Sequence, residues 1–160
     1  MRKSNQEITD PSIVEEILSK SEICRIAMVD DGKPYLLPFN YGYKDNCIYI
    51  HSAVSGKKLD VLQKNNSVCF EIEQFEGIYK HEKACKWTTT YRSVVGYGTV
   101  EIITDFDKKI NGLEIIMAQH GDPEEHEFEA RQINTMVILK LSITSLCGKQ
   151  SGNWNLINHK

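Results

Sequence analysis

The sequence lacks the marks of several large functional classes. No apolar run comes close to the roughly 20 residues of a membrane-spanning helix. Behind the start M-R-K-S-N-Q-E there is no apolar stretch of the kind a secretory leader carries. No C-x-x-C pair occurs, and the five cysteines, Cys24, Cys47, Cys69, Cys85 and Cys147, are odd in number. They read as reduced, buried thiols of a cytoplasmic protein, not as a disulfide framework. Neither G-x-G-x-x-G nor G-x-x-x-x-G-K-[ST] is present, so a Rossmann site and a P-loop are unsupported. His81 and Cys85 are four apart but lack partners, His120 and His126 flank Glu124 and Glu125 on a polar loop, and no metal is expected. The net charge is -3 with no basic stripe, which argues against nucleic acid as a partner. A membrane partner is not expected either. There is no internal repeat and no Pro/Gly-rich linker, so residues 1–160 are expected to form a single domain.

What is present has the balance of a globular protein: 41% hydrophobic and 26% charged residues. Asp10-Pro11 is an N-cap followed by a proline at the first helical position, and it predicts a short helix over 12–20. Residues 23–29 are rich in β-formers. The turn Asp30-Asp31-Gly32 should return the chain as a partner strand over 33–43. A second turn, Lys44-Asp45-Asn46, leads to a strand over 47–51. Leu59 and Leu62 mark a short helix, and Val68, Phe70 and Ile72 alternate along a strand over 67–73. Residues 75–86 read as a loop. Residues 87–103 form a long β-prone run in which Gly96 and Gly98 suggest a bend or a close backbone approach. A helix capped by Thr104 or Asp105 and stopped by Gly121 follows, with a further helical turn from Asp122 to Arg131. The last clear strand covers 136–143. The whole is mainly β with peripheral helices: six strands, mostly antiparallel, in a closed or nearly closed barrel.

Three stretches could carry chemistry. The first is H-S-A-V-S-G-K-K, residues 51–58, at a strand-to-helix junction. Amides at a helix start, the helix dipole, a glycine and two lysines are what a phosphate needs, whereas lysines there otherwise oppose the dipole. A solvated basic turn accounts for the same residues. The second is P-F-N-Y, residues 38–41, which could lie along a flat heterocycle or be an ordinary edge strand. The third is W-T-T-T-Y-R-S-V-V-G-Y-G, residues 87–98, either a cover for a ligand or an exposed strand face.

Together these segments resemble the flavin-binding split-barrel superfamily of the pyridoxamine 5'-phosphate oxidases, most closely its nitroimidazole-resistance (Nim) branch. The resemblance runs over roughly residues 7–149. It implies a six-stranded antiparallel split β-barrel that pairs as a homodimer with flavin in the interface. It implies that Lys57 and Lys58 hold the flavin phosphate and that His51 and Ser52 contact phosphate and ribityl. Pro38, Phe39, Asn40 and Tyr41 would lie along the isoalloxazine ring, and Arg92 and Ser93 would reach the flavin from the second subunit, with Trp87 and Thr89 beside them. In the Nim branch the histidine at the position of His51 belongs to the active site, which makes it the candidate catalytic residue. The oxidases proper carry an arginine and a lysine where this chain has Leu36 and Tyr41, and they end in a motif this chain lacks. Oxidation of pyridoxamine phosphate is therefore not expected. The resemblance implies an FMN-dependent oxidoreductase, with FAD as the other flavin to consider. It would draw electrons from a donor such as NAD(P)H and reduce a small acceptor such as a nitroaromatic. The alternative is a non-catalytic flavin binder or carrier.

Overall fold

The computed structural model describes residues 4–122, 124, 126–152 and 154. Eight strands form one antiparallel sheet in the order β3-β2-β6-β7-β8-β5-β4, with β1 added beside β8. The elements are β1 (Glu7–Ile8), α1 (Pro11–Lys20), β2 (Ile23–Asp30), β3 (Lys33–Asn40), β4 (Gly42–Lys44), β5 (Cys47–Ala53), α2 (Lys57–Lys64), β6 (Ser67–Tyr79), β7 (Thr88–Ile103), α3 (Phe106–Gln119), α4 (Ala130–Ile133) and β8 (Met136–Ser151). Short 3-10 turns cover Ser4–Gln6 and Ala84–Lys86.

The local signals form where the sequence predicts them. The Asp10 carboxylate accepts the Ser12 N–H at 2.9 Å, and the Asp105 carboxylate accepts that of Lys108 at 3.0 Å. Each caps a helix start. Asp31 and Gly32 (φ 49° and 81°) close one hairpin, and Asp45 and Asn46 (φ 51° and 58°) close another. Two consecutive left-handed residues twist with the strands they join.

The strand count is eight where six were expected. The predicted strand over 33–43 is broken at Tyr41 into β3 and β4, which stand at opposite ends of the strand order. One residue thus joins the two edges of the sheet, which is geometrically feasible only if the sheet is rolled into a barrel. The eighth strand is β1, two residues long, paired with Gly148 and Lys149 of β8. Three further expectations are corrected. Residues 75–79 are not loop but the end of β6, because Phe75 to Tyr79 find partners in Tyr91 to Thr88 beyond a register shift at Gly77. The polar segment 148–151 belongs to β8, held by pairing with Val94 to Tyr91 on one side. The helical turn from Asp122 to Arg131 shrinks to α4; Pro123 and Glu125 lie outside the described residues.

The core fills the roll: Ile26, Met28, Ile48, Ile50, Phe70, Ile72, Val94, Leu139 and Leu141 point inward. Ile17 and Leu18 of α1 and Leu59, Val61 and Leu62 of α2 complete it. Helix α3 lies elsewhere, with Ile116 joining Ile103 and Ile138 in a smaller cluster. Gly96 and Gly98 mark close approaches: a Cβ on Gly96 would meet the Phe70 ring at 2.5 Å, and one on Gly98 would strike the Ser142 carbonyl. The thiols divide. Cys24 is buried, and burial pushes its pKa up. Cys85 and Cys147 are exposed, contrary to the expectation of buried thiols. Among the described residues, no helix is long and apolar enough to cross a membrane.

Candidate functional site

The junction between β5 and α2 sits at the split of the barrel. β4 pairs with β5 only as far as Tyr49, so on that side residues 50–53 run on without it. Gly56 then turns the chain into α2 with φ 128°, a backbone value that side chains resist. A Cβ there would meet nothing within 4 Å, so the helix start opens onto free space. The Gly56 carbonyl accepts from Leu59 and Asp60, while the first amides of the helix have no partner within it.

The two lysines fold back over β3. The Lys57 ammonium lies 4.7 Å from the centroid of the Tyr35 ring and 2.9 Å from the Asp30 carboxylate. The Lys58 ammonium lies 5.5 Å from the Phe39 ring. The hydrogen bond from Lys57 holds the Asp30 carboxyl below its ordinary range, and Asp30 in turn raises Lys57. Asp30 and Tyr35 are the residues sequence reasoning missed. Tyr35 was findable, since it shares strand parity with Phe39; Asp30 was not, because it lies across a hairpin.

β3 pairs only with β2 and is an edge strand. Pro34 and Pro38 have no N–H to give, which fits positions whose amide side points off the sheet. Leu36 and Asn40, of the same parity, then turn their N–H and C=O groups outward. The side chains of Leu36, Pro38 and Asn40 are exposed, and those of Tyr35, Leu37 and Phe39 are half-buried on the opposite face. Tyr41 shares neither environment. It is wholly buried, and its hydroxyl donates to the Leu18 carbonyl at 2.7 Å, so its ring belongs to the core.

His51 and Ser52 point to opposite faces of β5. His51 is exposed; Ser52 is buried, with its hydroxyl donating to the Ala53 carbonyl at 3.1 Å. One chain therefore brings Pro38, Phe39, Asn40, Lys57 and Lys58 to one seam, with His51 at the strand end leading into it.

The third stretch lies two strands away from that seam: Pro38 is level with Val95 of β7 through Arg25 and Glu71, with β2 and β6 between them. His51 is level with Ile138, and Ile138 with Ile103 of β7. Ser93 lies ten residues up that strand, roughly 33 Å along it. Trp87 is exposed at the hairpin end, its indole N–H donating to the His81 carbonyl at 2.8 Å, and Thr89 is half-buried opposite Ile78. Strand alternation separates Ser93 from Arg92. Ser93 lies on the outer face with Val95 and Tyr97, whereas Arg92 points inward with Val94 and is 6% exposed. Its guanidinium is 3.6 Å from Glu16, and its Cζ lies 4.4 Å from the centroid of the Trp154 ring. Burial lowers its pKa and Glu16 opposes that shift.

The outer face of β6 and β7 exposes large apolar side chains: Phe75 (61%), Val95 (41%) and Tyr97 (57%). Phe75 stands opposite Tyr91, and Val95 opposite Cys147. A polar row, Ser93 with Glu73 and Lys149, runs between these two apolar rows.

Comparison with known proteins follows this geometry. A candidate 5-nitroimidazole antibiotic resistance protein of Bacteroides thetaiotaomicron superposes with a TM-score of 0.79 and 28% identity, over 90% of this chain and 86% of that one. A flavocytochrome of Azotobacter vinelandii (TM-score 0.82, 20% identity, 96% of this chain and 72% of that one) shares the fold. So does an FAD- and heme-binding protein of Mycobacterium smegmatis (TM-score 0.82, 20% identity, 93% and 75%). In sequence, the chain is 29% identical over 59 residues to an uncharacterised protein of Rhizobium meliloti, a match spanning 37% of this chain and 38% of that protein's length. The sequence model of the pyridoxamine 5'-phosphate oxidase family matches residues 10–150, which takes in the rolled sheet, its split and the junction that closes it. The chain belongs to that family.

Proposed function

We propose that this chain binds a flavin nucleotide, FMN in the first place, at the split between β3 and β5, and works as an oxidoreductase on a small oxidised acceptor such as a nitroaromatic. The observation that carries this reading is the placement of Lys57 and Lys58 over Tyr35 and Phe39, beside the free edge of β3. The donor set fits the group. Unpartnered amides and two ammonium groups suit a phosphate, and the outward N–H and C=O groups of Leu36 and Asn40 suit the polar rim of a flat heterocycle. Bound flavin would supply electron transfer that no side chain here can provide.

The chain's own contribution is binding and orientation. Lys58 and the α2 amides hold the phosphate, and Lys57 joins them by leaving Asp30. The edge of β3 fixes the ring, with Pro38 and Asn40 lining it. His51, exposed at the end of β5, is placed to give a proton to a reduced acceptor. Leu36, 58% exposed, contributes no charge to the ring edge, and buried Tyr41 contributes none either, in keeping with an activity other than pyridoxamine phosphate oxidation. β2 and β6 stand between Ser93, Thr89 and Trp87 and the β3 edge of their own chain. They serve a second copy docked on the apolar outer face, in a homodimer with flavin at the interface. The donor would be NAD(P)H, received on an open flavin face.

The test is to purify the protein from cells, record its visible spectrum, and identify the chromophore after release. Flavin absorption with about one FMN per chain is the expected result. A colourless protein that takes up neither FMN nor FAD overturns the reading. A second reading, a flavin carrier without turnover, draws on the exposure of His51, since no wall of the chain shields that proton from water. Steady-state reduction of a nitroaromatic with NADPH separates the two.

A further inference from the structure

The interior of the barrel changes character at the end farthest from the β5–α2 junction. Along β6 the inward residues run Val68, Phe70, Ile72 and then Gln74; along β7 they run Val100, Val94, and then Arg92 and Thr90. Gln74 and Arg92 are direct cross-strand partners, so their side chains leave the sheet side by side. Thr90 is 1% exposed and Arg92 6%. The apolar core thus ends in a buried polar layer, roofed by the Trp154 indole and bordered by Glu16.

That layer is incompletely satisfied. Among the described residues, the Nε–H of Arg92, the Oε1 of Gln74 and the hydroxyl of Ser21 are buried and without a partner. Buried donors and acceptors are rarely left unmet, so a group of them in one place asks for a partner. Ser21, Gln74 and Trp154 also line a shallow open cleft with Phe75, Arg25 and Glu73. The charges around it are already matched. Arg92 faces Glu16, and Arg25 lies 3.1 Å from Glu71 and 3.2 Å from Glu73. What is left over is one donor beside one acceptor, next to an aromatic face.

We propose that Arg92 and Gln74, beneath Trp154, form a second small-molecule site that takes a planar neutral compound presenting a C=O beside an N–H, a lactam or a carboxamide. The C=O accepts from Arg92 Nε–H, and the N–H donates to Gln74 Oε1. The ring lies edge-on in the plane of the guanidinium, and the Trp154 indole that roofs the layer swings toward the cleft to admit it. No flavin is needed for this site, which lies at the far end of β7 from the phosphate junction.

The experiment uses the purified full chain with whatever it has bound, and Trp154 emission is taken as the difference between the parent and Trp154→Ala. Uracil is the probe, and 1,3-dimethyluracil, which keeps the carbonyls and loses the N–H groups, is the control. The expected result is a saturable shift of the Arg92 Nε–H cross-peak with uracil, assigned by its loss in Arg92→Lys, together with a change in Trp154 emission. The dimethyl compound should bind at least about tenfold more weakly, a factor worth about 1.4 kcal/mol. Trp154→Ala removes the competing indole without touching the core, and should tighten uracil binding. An unmoved cross-peak at saturating uracil, equal binding of the two probes, or a water-to-Nε–H exchange signal alone, meaning a bridging water only, each overturns the proposal.

Discussion

The Lys57 ammonium and the Asp30 carboxylate stand 2.9 Å apart across the split of the barrel. Lys57 therefore reaches any phosphate at α2 only by giving up this partner, whereas the Lys58 ammonium lies over the Phe39 ring. The two lysines should be unequal. Lys58→Ala should weaken FMN binding more than Lys57→Ala, and Asp30→Asn should strengthen it by freeing Lys57. Replacing both lysines should weaken binding by more than about tenfold. Flavin fluorescence titration of the four variants measures this; four equal affinities would place the phosphate elsewhere.

The same pair sets a pH signature. Asp30 is lowered, chiefly by the Lys57 hydrogen bond, so its contribution to stability is present above the unfolded carboxylate value and is lost as pH falls through the folded one. Lys57 is raised, chiefly by Asp30, so its contribution is present below the unfolded lysine value and is lost as pH rises through the folded one. The melting temperature of the parent minus that of Asp30→Asn should be level through neutral pH and shrink at both ends. Because Lys57 is exposed and Asp30 only half-buried the difference should be small, and salt should reduce it.

Tyr41 tests the division between core and site. Its hydroxyl donates to Leu18 O, which also accepts from the Gln119 amide at 3.1 Å. Tyr41→Phe removes one donor without orphaning the acceptor, so the loss should be about 1 kcal/mol in urea unfolding. Flavin affinity should stay unchanged. A selective loss of flavin binding would show that the ring reaches the cofactor after all.

Lys109 is 5% exposed, and its ammonium donates to the carbonyls of Ile133 (2.7 Å) and Met136 (3.2 Å). Met136 begins β8 and pairs with Ala53, just before the α2 junction. Lys109→Met keeps the apolar stem and leaves both carbonyls unmet. It should cost about 2 kcal/mol. Hydrogen exchange should then rise at residues 134–138 ahead of the sheet as a whole.

Val95 and Tyr97 test the second copy. Val95→Lys with Tyr97→Glu places opposite charges on the outer face of β7 without touching the core. The variant should sediment as a monomer and release flavin. A dimer that persists with its flavin would move the interface to another surface.

Much of the fold was legible because its signals are local. An N-cap carboxylate, a pair of left-handed turn residues and a Val-Phe-Ile alternation act within a few positions, so Asp10, Asp31-Gly32 and Val68–Ile72 could be read directly. The strand ends could not. Residues 75–79 and 148–151 are polar or glycine-containing, and they are strand only because Thr88–Val94 lies alongside them. The same holds at the site. The sequence determined that two lysines follow a glycine at a helix start and that Pro38 lies on an edge. Tertiary structure alone decided that Asp30 answers Lys57, that Tyr41 turns into the core, and that Arg92 and Ser93, adjacent in sequence, face opposite ways. Pairing and parity are fixed by which strands meet when the sheet rolls, and that depends on burying one common face, which no short stretch of sequence contains.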